Sequence, residues 1–142
     1  NIQGDEPFID TKDLISFMKV AFKNKDIVMN GMTKIRNKKE FSNPNIPKVV
    51  VSENNKLLYM SRNNIPVNKL SLAKELMKQV CVYSFPKKTL IKIYKNKKSK
   101  LEIIEDIEIL RLLEKDYPVY MHKFPKGSIA IDTPEDLKKI SD

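Results

Sequence analysis

Short β-type runs alternate with amphipathic helical segments along most of this sequence. Apolar residues recur at helical spacing from about Thr11 to Lys23, and the run from Ile27 to Ile35 has strand character. The same reasoning predicts strands at 80–85, 119–124 and 128–131, and helices at 70–78, 87–94, 100–115 and from Thr133 onward. Because strands and helices bury their apolar sides against each other, this alternation predicts a layered α/β fold.

The clearest local signal is a β-hairpin in the first half of the chain. The β-rich runs Lys48–Ser52 and Leu57–Ser61 flank Asn54 and Asn55, and asparagine tolerates the positive φ that tight hairpin turns require. A breaker cluster of asparagine and proline at 43–47 precedes the first run. We therefore expect the chain to leave regular structure there and to return as two paired strands.

The composition is that of a globular protein. Apolar residues make up 41% of the 142 residues, and no apolar run approaches the roughly 20 residues that span a bilayer. The net charge of +9 suggests nucleic-acid binding at first sight. However, only the run 95–100 is densely basic, and no aromatic residue is interleaved with it as a stacking platform. We interpret the lysines as a solvated face or as groups that attract anionic substrates, and we expect no nucleic-acid partner.

Cysteine and histidine each occur once, as Cys81 and His122. A single cysteine allows no intrachain disulfide, which is compatible with a reducing cytoplasm, and one residue of each type does not make a zinc site. Cys81 lies in the apolar run 80–83, which favours a small buried hydrophobe. His122 alternates with apolar neighbours in a predicted strand, so we expect a packed or surface residue rather than a base.

Two aspartates, Asp5 and Asp132, are the candidates for metal chemistry. Each follows a predicted strand, and ligands of open α/β sheets bind outside the carboxyl ends of the strands. Two carboxylates there suit Mg²⁺, which is bound by one or two carboxylates and by substrate phosphates. Each also has a structural alternative. Asp5 fits an Asx-type turn before Pro7, and Asp132 fits a helix cap, although Thr133-Pro134-Glu135-Asp136 already completes a capping sequence.

The predicted helix at 100–115 has two distinct faces. Its apolar stripe consists of Ile103, Ile107, Leu110 and Leu113. A second face, which we interpret as solvated, carries Glu102, Glu105 and Glu108. The sequence contains no Ser–His–Asp arrangement, phosphate-binding glycine loop or metal-binding Cys/His cluster. The residues alone therefore support an α/β domain with a carboxylate–metal edge.

Five segments, in this order, resemble the CMP-Kdo synthetases, which are the 3-deoxy-manno-octulosonate cytidylyltransferases. They are Gln3-Gly4-Asp5-Glu6-Pro7, Asn43-Pro44-Asn45 with Lys48-Val49-Val50, Leu58-Tyr59-Met60-Ser61-Arg62 with Ile65-Pro66, Leu101-Glu102 through Arg111, and Asp132-Thr133-Pro134-Glu135-Asp136-Leu137. Together they extend over nearly the whole chain. The resemblance implies a nucleotide-diphospho-sugar-transferase-like fold, with a mixed sheet, flanking helices and a β-hairpin excursion.

The resemblance also implies a reaction. Enzymes of this family bind CTP and a 3-deoxy-ulosonic acid, whose anomeric hydroxyl attacks the α-phosphate to give a CMP-sugar and pyrophosphate with Mg²⁺. The family's catalytic, metal-binding aspartates match Asp5 and Asp132. Its sugar-binding positions match Gln3, Arg62, Tyr83 and Glu108. Arg62 suits a sugar carboxylate, because a guanidinium pairs with it bidentately.

The sequence departs from the family at two positions beside the sugar. Gln79 stands where the family has a histidine, and Ile109 stands where it has a glutamine. The glycine-rich approach to Asp132 is also changed, to Ser128-Ile129-Ala130-Ile131. We therefore place Gln79 and Ile109 in the predicted sugar site, with a related ulosonic or nonulosonic acid as the alternative to Kdo.

The family's N-terminal strand and its basic loop for the CTP phosphates have no counterpart in residues 1–142. We interpret the chain as the C-terminal portion of one cytidylyltransferase domain, inactive in isolation, with a hairpin and dimerisation region at about 43–66. The expected partners are CTP, the acidic sugar and a second copy of the chain, in the cytoplasm. The alternative is a non-catalytic remnant that acts as an oligomerisation or binding module.

Overall fold

A computed structural model describes residues 1–67, 75–128 and 131. Within these ranges the elements are, in chain order, α1 (Thr11–Lys23), β1 (Val28–Lys34), α2 (Lys38–Ser42), β2 (Lys48–Val51), β3 (Leu57–Ser61), β4 (Met77–Ser84), α3 (Lys87–Tyr94), α4 (Lys100–Glu105), α5 (Leu110–Leu113) and β5 (Val119–Lys123). The helix predicted from Thr133, most of the helix predicted at 70–78 and half of the strand predicted at 128–131 lie outside the described residues.

The described strands form one mixed sheet in the order β3-β2-β4-β1-β5. Strands β1 and β5 run parallel, whereas the β1–β4, β2–β4 and β2–β3 pairs are antiparallel. On one face Phe17 of α1 packs with Val80 and Phe124. The larger apolar cluster includes Met32 of β1 and Leu110 of α5. This arrangement confirms the predicted α/β fold class.

Helix α1 has its predicted boundaries. Asp10 caps it, because its carboxylate accepts hydrogen bonds from the backbone N–H groups of Lys12 (2.9 Å) and Asp13 (3.2 Å). These donors are among those that the first turn of any helix leaves unpaired.

None of the helices in the described residues has the length and apolar character of a membrane span.

The predicted hairpin is confirmed as β2 and β3. Asn55, in the hairpin turn, has a positive φ of 58°. This is the conformation expected from the sequence for an asparagine in a tight hairpin turn. The turn also folds back against β5, since the Asn55 carbonyl accepts a hydrogen bond from the Met121 N–H at 2.8 Å. The hairpin turn therefore contacts β5, which lies at the opposite end of the strand order from β3.

The long helix predicted at 100–115 is wrong, because the chain divides into α4 and α5. Asp106 ends α4 in the left-handed region at φ 51°, which aspartate tolerates better than most residues. The Arg62 guanidinium donates hydrogen bonds to the carbonyls that are left unpaired at this helix end. Its Nε donates to the Glu105 carbonyl at 2.7 Å, and its Nη2 donates to the Asp106 carbonyl at 2.9 Å. A contact from a distant strand thus stabilises the break.

The break also divides the predicted apolar stripe. Ile103, before it, is 64% exposed, whereas Ile107 and Leu110, after it, are buried. Leu113 is half-buried against the same cluster. A left-handed residue resets the direction of the helix, so the helical period cannot be carried through it.

Strand β4 begins before its predicted start at Val80. Met77 and Lys78 pair with Val49 and Lys48 of β2, so the last residues of the helix predicted at 70–78 are in fact strand. The short helix α2 was not predicted. Helix α3, predicted at 87–94, has those bounds.

Candidate active site

A cavity of about 810 Å³ lies where the start of the chain meets β4 and the turn after α4. Three segments line it with the residues of most chemical interest: Gln3, Asp5 and Glu6 from the start, Lys78, Gln79, Cys81 and Tyr83 from β4, and Asp106, Ile107 and Glu108 from the turn. Five predicted site residues therefore share this cavity with Arg62, which also lines it.

The first residues reach the cavity because they pair with β4. Asn1 and Tyr83 exchange hydrogen bonds through their backbones at 2.9 and 2.8 Å. The Gln3 N–H then donates to the Cys81 carbonyl at 3.1 Å. This short antiparallel pairing positions the following segment, which contains Asp5.

A bulge in β4 makes this pairing possible. Asn30 of β1 is opposite Tyr83 but Gly31 is opposite Val80, so the two residues between have no partner in β1. The fully buried Asn30 bridges the gap, because its Nδ2 donates to the carbonyls of Val80 (3.0 Å) and Val82 (2.9 Å). Gly31 is needed there, since a Cβ atom would lie 3.0 Å from Val80 and from the Phe124 ring.

Cys81, within the bulge, is half-buried and lines the cavity, so its prediction as a buried core residue is wrong. The bulge frees its N–H from the β1 ladder, and that N–H donates to Oε1 of Glu6 at 2.9 Å. Sequence reasoning missed Glu6, although it is an acidic residue inside the motif that carries the resemblance. Burial raises the pKa of the Glu6 carboxyl, and this outweighs the lowering effects of Ser128 and of the Cys81 N–H.

Asp5 presents a buried carboxylate oxygen to the cavity. Its Oδ1 makes no hydrogen bond within the described part of the chain, and its carbonyl accepts the Ile131 N–H at 2.8 Å. An orphaned buried carboxylate oxygen fits a metal ligand. Among residues 1–67, 75–128 and 131, no cluster of three or more His, Cys, Asp or Glu residues forms a metal site. Asp132 lies outside the described residues, so its pairing with Asp5 stays a prediction.

Gln79 and Tyr83 form a hydrogen-bonded pair on the cavity wall. Gln79 Nε2 donates to Oη of Tyr83 at 3.0 Å and to Oδ1 of Asn30 at 2.9 Å. Burial, followed by the neighbouring Cys81, raises the pKa of the Tyr83 phenol far above its ordinary value. The phenol is therefore neutral at physiological pH and keeps its O–H.

Arg62 lies at the cavity, but its guanidinium is already engaged by the protein. Besides the two carbonyls at the end of α4, Nη1 donates to the carbonyls of Pro44 (3.2 Å) and Asn45 (3.3 Å). A bidentate pair with a substrate carboxylate needs two free N–H groups on one edge of the guanidinium. Here both edges are occupied, so Arg62 acts as a clamp between three segments in this structure.

Two further groups complete this clamp. Glu105 accepts hydrogen bonds from Tyr59 Oη (3.3 Å), Ser61 Oγ (2.7 Å) and the Arg62 N–H (2.9 Å). Lys48 is fully buried and donates to the carbonyls of Asn43 (2.9 Å) and Arg62 (2.5 Å). Burial lowers the pKa of the Lys48 ammonium, with the Arg62 charge adding to the effect.

The interpretation of the helix glutamates as a solvated face is wrong for two of them. Glu105 belongs to the clamp, and Glu102 is 2% exposed in an ion pair with Arg111. Glu108 is exposed and lines the cavity, and its role as a sugar contact stays a prediction. Ile109 is 2% exposed within the apolar core and does not line the cavity. The phase change at Asp106 explains why neighbouring side chains point in such different directions.

His122 is packed, as predicted. Its ring lies edge-on to Phe17 and Phe124, with centroids 5.6 and 5.7 Å apart. Burial lowers the pKa of the imidazole. His122 is not among the residues that line the cavity.

Comparisons with known proteins agree with this geometry. The chain is 34% identical over 141 residues to a 3-deoxy-manno-octulosonate cytidylyltransferase of Fusobacterium nucleatum, covering 99% of the chain and 58% of the relative. It is 35% identical over 143 residues to that of Christiangramia forsetii, covering 98% and 58%. A solved CMP:2-keto-3-deoxy-manno-octonic acid synthetase complexed with CTP superposes with a TM-score of 0.86 at 27% identity, covering 99% of the chain and 58% of that structure.

The chain thus spans less than two thirds of the length of these relatives. The Cytidylyltransferase family model matches residues 1–126. This chain belongs to the cytidylyltransferase family.

Proposed function

We propose that the protein carrying this chain couples CTP to a 3-deoxy-ulosonic acid, Kdo or a related acidic sugar. The anomeric hydroxyl oxygen forms a bond to the α-phosphorus of CTP while the bond to the bridging oxygen of the β-phosphate breaks. The products are CMP-sugar, pyrophosphate and the hydroxyl proton. The observation that supports this proposal best is one cavity, lined by Gln3, Asp5, Tyr83 and Glu108, in a chain of the cytidylyltransferase family.

We further propose that Asp5 and Asp132 hold Mg²⁺. Asp5 offers the orphaned Oδ1 described above. Asp132 directly follows Ile131 in the sequence, and the Ile131 N–H is bonded to the carbonyl of Asp5. When bound, the ion neutralises charge on the phosphates of CTP.

On the sugar side, Gln3, Gln79, Tyr83 and Glu108 contact hydroxyl groups of the substrate. Tyr83 keeps its proton, and its oxygen already accepts a hydrogen bond from Gln79. Arg62 supports the site by holding its walls, and Arg36 and Lys39 are exposed cations of the same cavity that can meet a carboxylate. Ile109 contributes only to the core beneath.

The assay is pyrophosphate release with CTP, Mg²⁺ and a panel of ulosonic and nonulosonic acids. It compares the 142-residue chain alone with the chain joined to the part of the Fusobacterium nucleatum relative that lies outside the match. We expect turnover from the joined protein and none from the chain alone. Sugar binding without turnover in both forms would favour a binding module, and no response to any acidic sugar would contradict the proposal.

We also propose that the protein is a cytoplasmic homodimer that associates through the hairpin region. Leu58 is 56% exposed on the edge strand β3, and Ile104 of the neighbouring α4 is 76% exposed. We place the interface at these two side chains because a dimer contact there would remove their apolar surface from water. Light scattering tests this, and Leu58→Glu is expected to yield monomers with unchanged helical content. A wild-type monomer at micromolar concentration would contradict the dimer.

A further inference from the structure

Two buried polar atoms of the cavity wall lie close to each other, and neither meets hydrogen-bond geometry with any partner in the described part of the chain. They are Oε2 of Glu6 and Oγ of Ser128. Glu6 is 6% exposed and Ser128 is 7% exposed, and both line the cavity. Buried polar groups in native proteins are almost always hydrogen-bonded, so each exception calls for an explanation.

The backbone holds both groups in place. Glu6 is fixed by the bond from the Cys81 N–H to Oε1 (2.9 Å) and by its own N–H, which donates to the Gln3 carbonyl at 3.3 Å. Its second oxygen is thus oriented but unused.

Ser128 follows a turn at Gly127, where φ is +70° and a Cβ would lie 2.7 Å from Oγ1 of Thr33. That hydroxyl is itself engaged, since Thr33 Oγ1 donates to the Phe124 carbonyl at 2.8 Å. Only glycine fits at position 127 without displacement, so the position of Ser128 is set by the fold.

The charge around these atoms decides what they bind. Asp5, the residue before Glu6, lines the same cavity and also has a buried carboxylate oxygen. Two neighbouring carboxylates repel a phosphate or a carboxylate of the substrate. A hydroxyl is neutral and both donates and accepts one hydrogen bond, so it matches a carboxylate oxygen beside a serine.

We propose, resting on the proposed function, that Glu6 and Ser128 form a hydroxyl-binding subsite for the acidic sugar. One sugar hydroxyl donates to Oε2 of Glu6 and accepts from the Ser128 hydroxyl. The pair selects among acidic sugars by the presence and position of that hydroxyl, because an analogue without it leaves both protein atoms unpaired.

Calorimetric titration of Kdo and its single-deoxy analogues into the 142-residue chain tests this subsite. The chain is suitable because it contains both Glu6 and Ser128 and the cavity that they line. We expect Ser128→Ala to raise the Kd for Kdo roughly tenfold. One deoxy analogue should bind the wild type more weakly by a similar factor and be insensitive to Ser128→Ala. Ser16→Ala, an exposed serine that does not line the cavity, is the matched control.

Glu6→Gln is the second variant. An oriented amide keeps an acceptor for the Cys81 N–H but turns the second oxygen into a donor, so we expect a larger loss of Kdo affinity than with Ser128→Ala. Equal Kd values for Kdo in the wild type and both variants would overturn the subsite and leave the proposed function intact. Failure of both the wild-type chain and the joined protein to bind any acidic sugar would overturn both.

Discussion

Two parts of the cavity wall, one around Arg62 and the other around Glu6, differ in whether their polar groups have hydrogen-bond partners. Arg62 donates to four backbone carbonyls, and the Glu105 carboxylate beside it accepts three hydrogen bonds. Asp5 and Glu6, in contrast, each keep one buried oxygen without a partner in the described residues. A satisfied network stabilises a shape, whereas orphaned buried atoms cost stability and indicate a ligand.

The largest expected effect is on catalysis at the wall with orphaned atoms. Asp5→Asn should reduce CMP-sugar synthesis by the joined protein roughly 10²–10³-fold, because a neutral amide is a poor ligand for Mg²⁺. The melting temperature should change little. Asp26→Asn, an exposed aspartate away from the cavity, is the control. If Asp5→Asn lost stability but kept its turnover per folded molecule, Asp5 would be a structural residue and the contrast with the Arg62 wall would be wrong.

At the clamp, the expected effect is on stability. Arg62→Met should lower the free energy of unfolding by about 2–4 kcal/mol, because four carbonyls lose a charged donor at once. Urea titration measures this change. Arg36→Met is the matched control, since Arg36 is exposed and its guanidinium bonds a single carbonyl, that of Lys126. If both variants were equally stable, Arg62 would be free to bind substrate after all.

The clamp and the separate Glu102–Arg111 ion pair should both weaken in acid. Hydrogen bonds from Arg111 lower the pKa of Glu102, and for Glu105 the bonds from Arg62 and Ser61 outweigh the opposing effect of burial. A lowered pKa adds stability above the ordinary value of 4.5, and that stability is lost as pH falls through the lowered value. Urea titrations across this range should show the decline, and Glu105→Gln should reduce it and leave the part due to Glu102. A stability independent of pH below 4.5 would contradict this.

The smallest effect is expected at Asp106. A substitution there separates the contribution of its backbone carbonyl from that of its side-chain carboxylate. Asp106→Gly keeps the carbonyl that Arg62 uses, relieves the left-handed backbone and removes an exposed carboxylate 3.7 Å from Nη2. These contributions offset, so the free energy of unfolding should change by no more than about 0.5 kcal/mol. A loss above about 1 kcal/mol would show that the Asp106 carboxylate, too, belongs to the clamp.

The candidate site was only partly predictable. Gln3, Asp5, Tyr83 and Glu108 were identified from the resemblance, and all four line the cavity. Glu6, Cys81 and Ser128 were not identified. Ser128 is positioned by the turn at Gly127. The positions of Glu6 and Cys81 depend on a bulge, and its local signal is an asparagine next to a glycine in the middle of a strand. Such a signal does not reveal which strand lies opposite, because strand pairing joins residues far apart in sequence.

The sequence by itself determined the elements whose signals are local. Examples are α1 with its Asp10 cap and the hairpin with its left-handed Asn55. Only the tertiary structure decided that the apolar stripe around Ile107 breaks and that Ile109 enters the core. The cause is Arg62, some forty residues away in sequence, which binds the carbonyls at the end of α4. Helical periodicity reports local preference, and a hydrogen-bond network between distant segments overrides it.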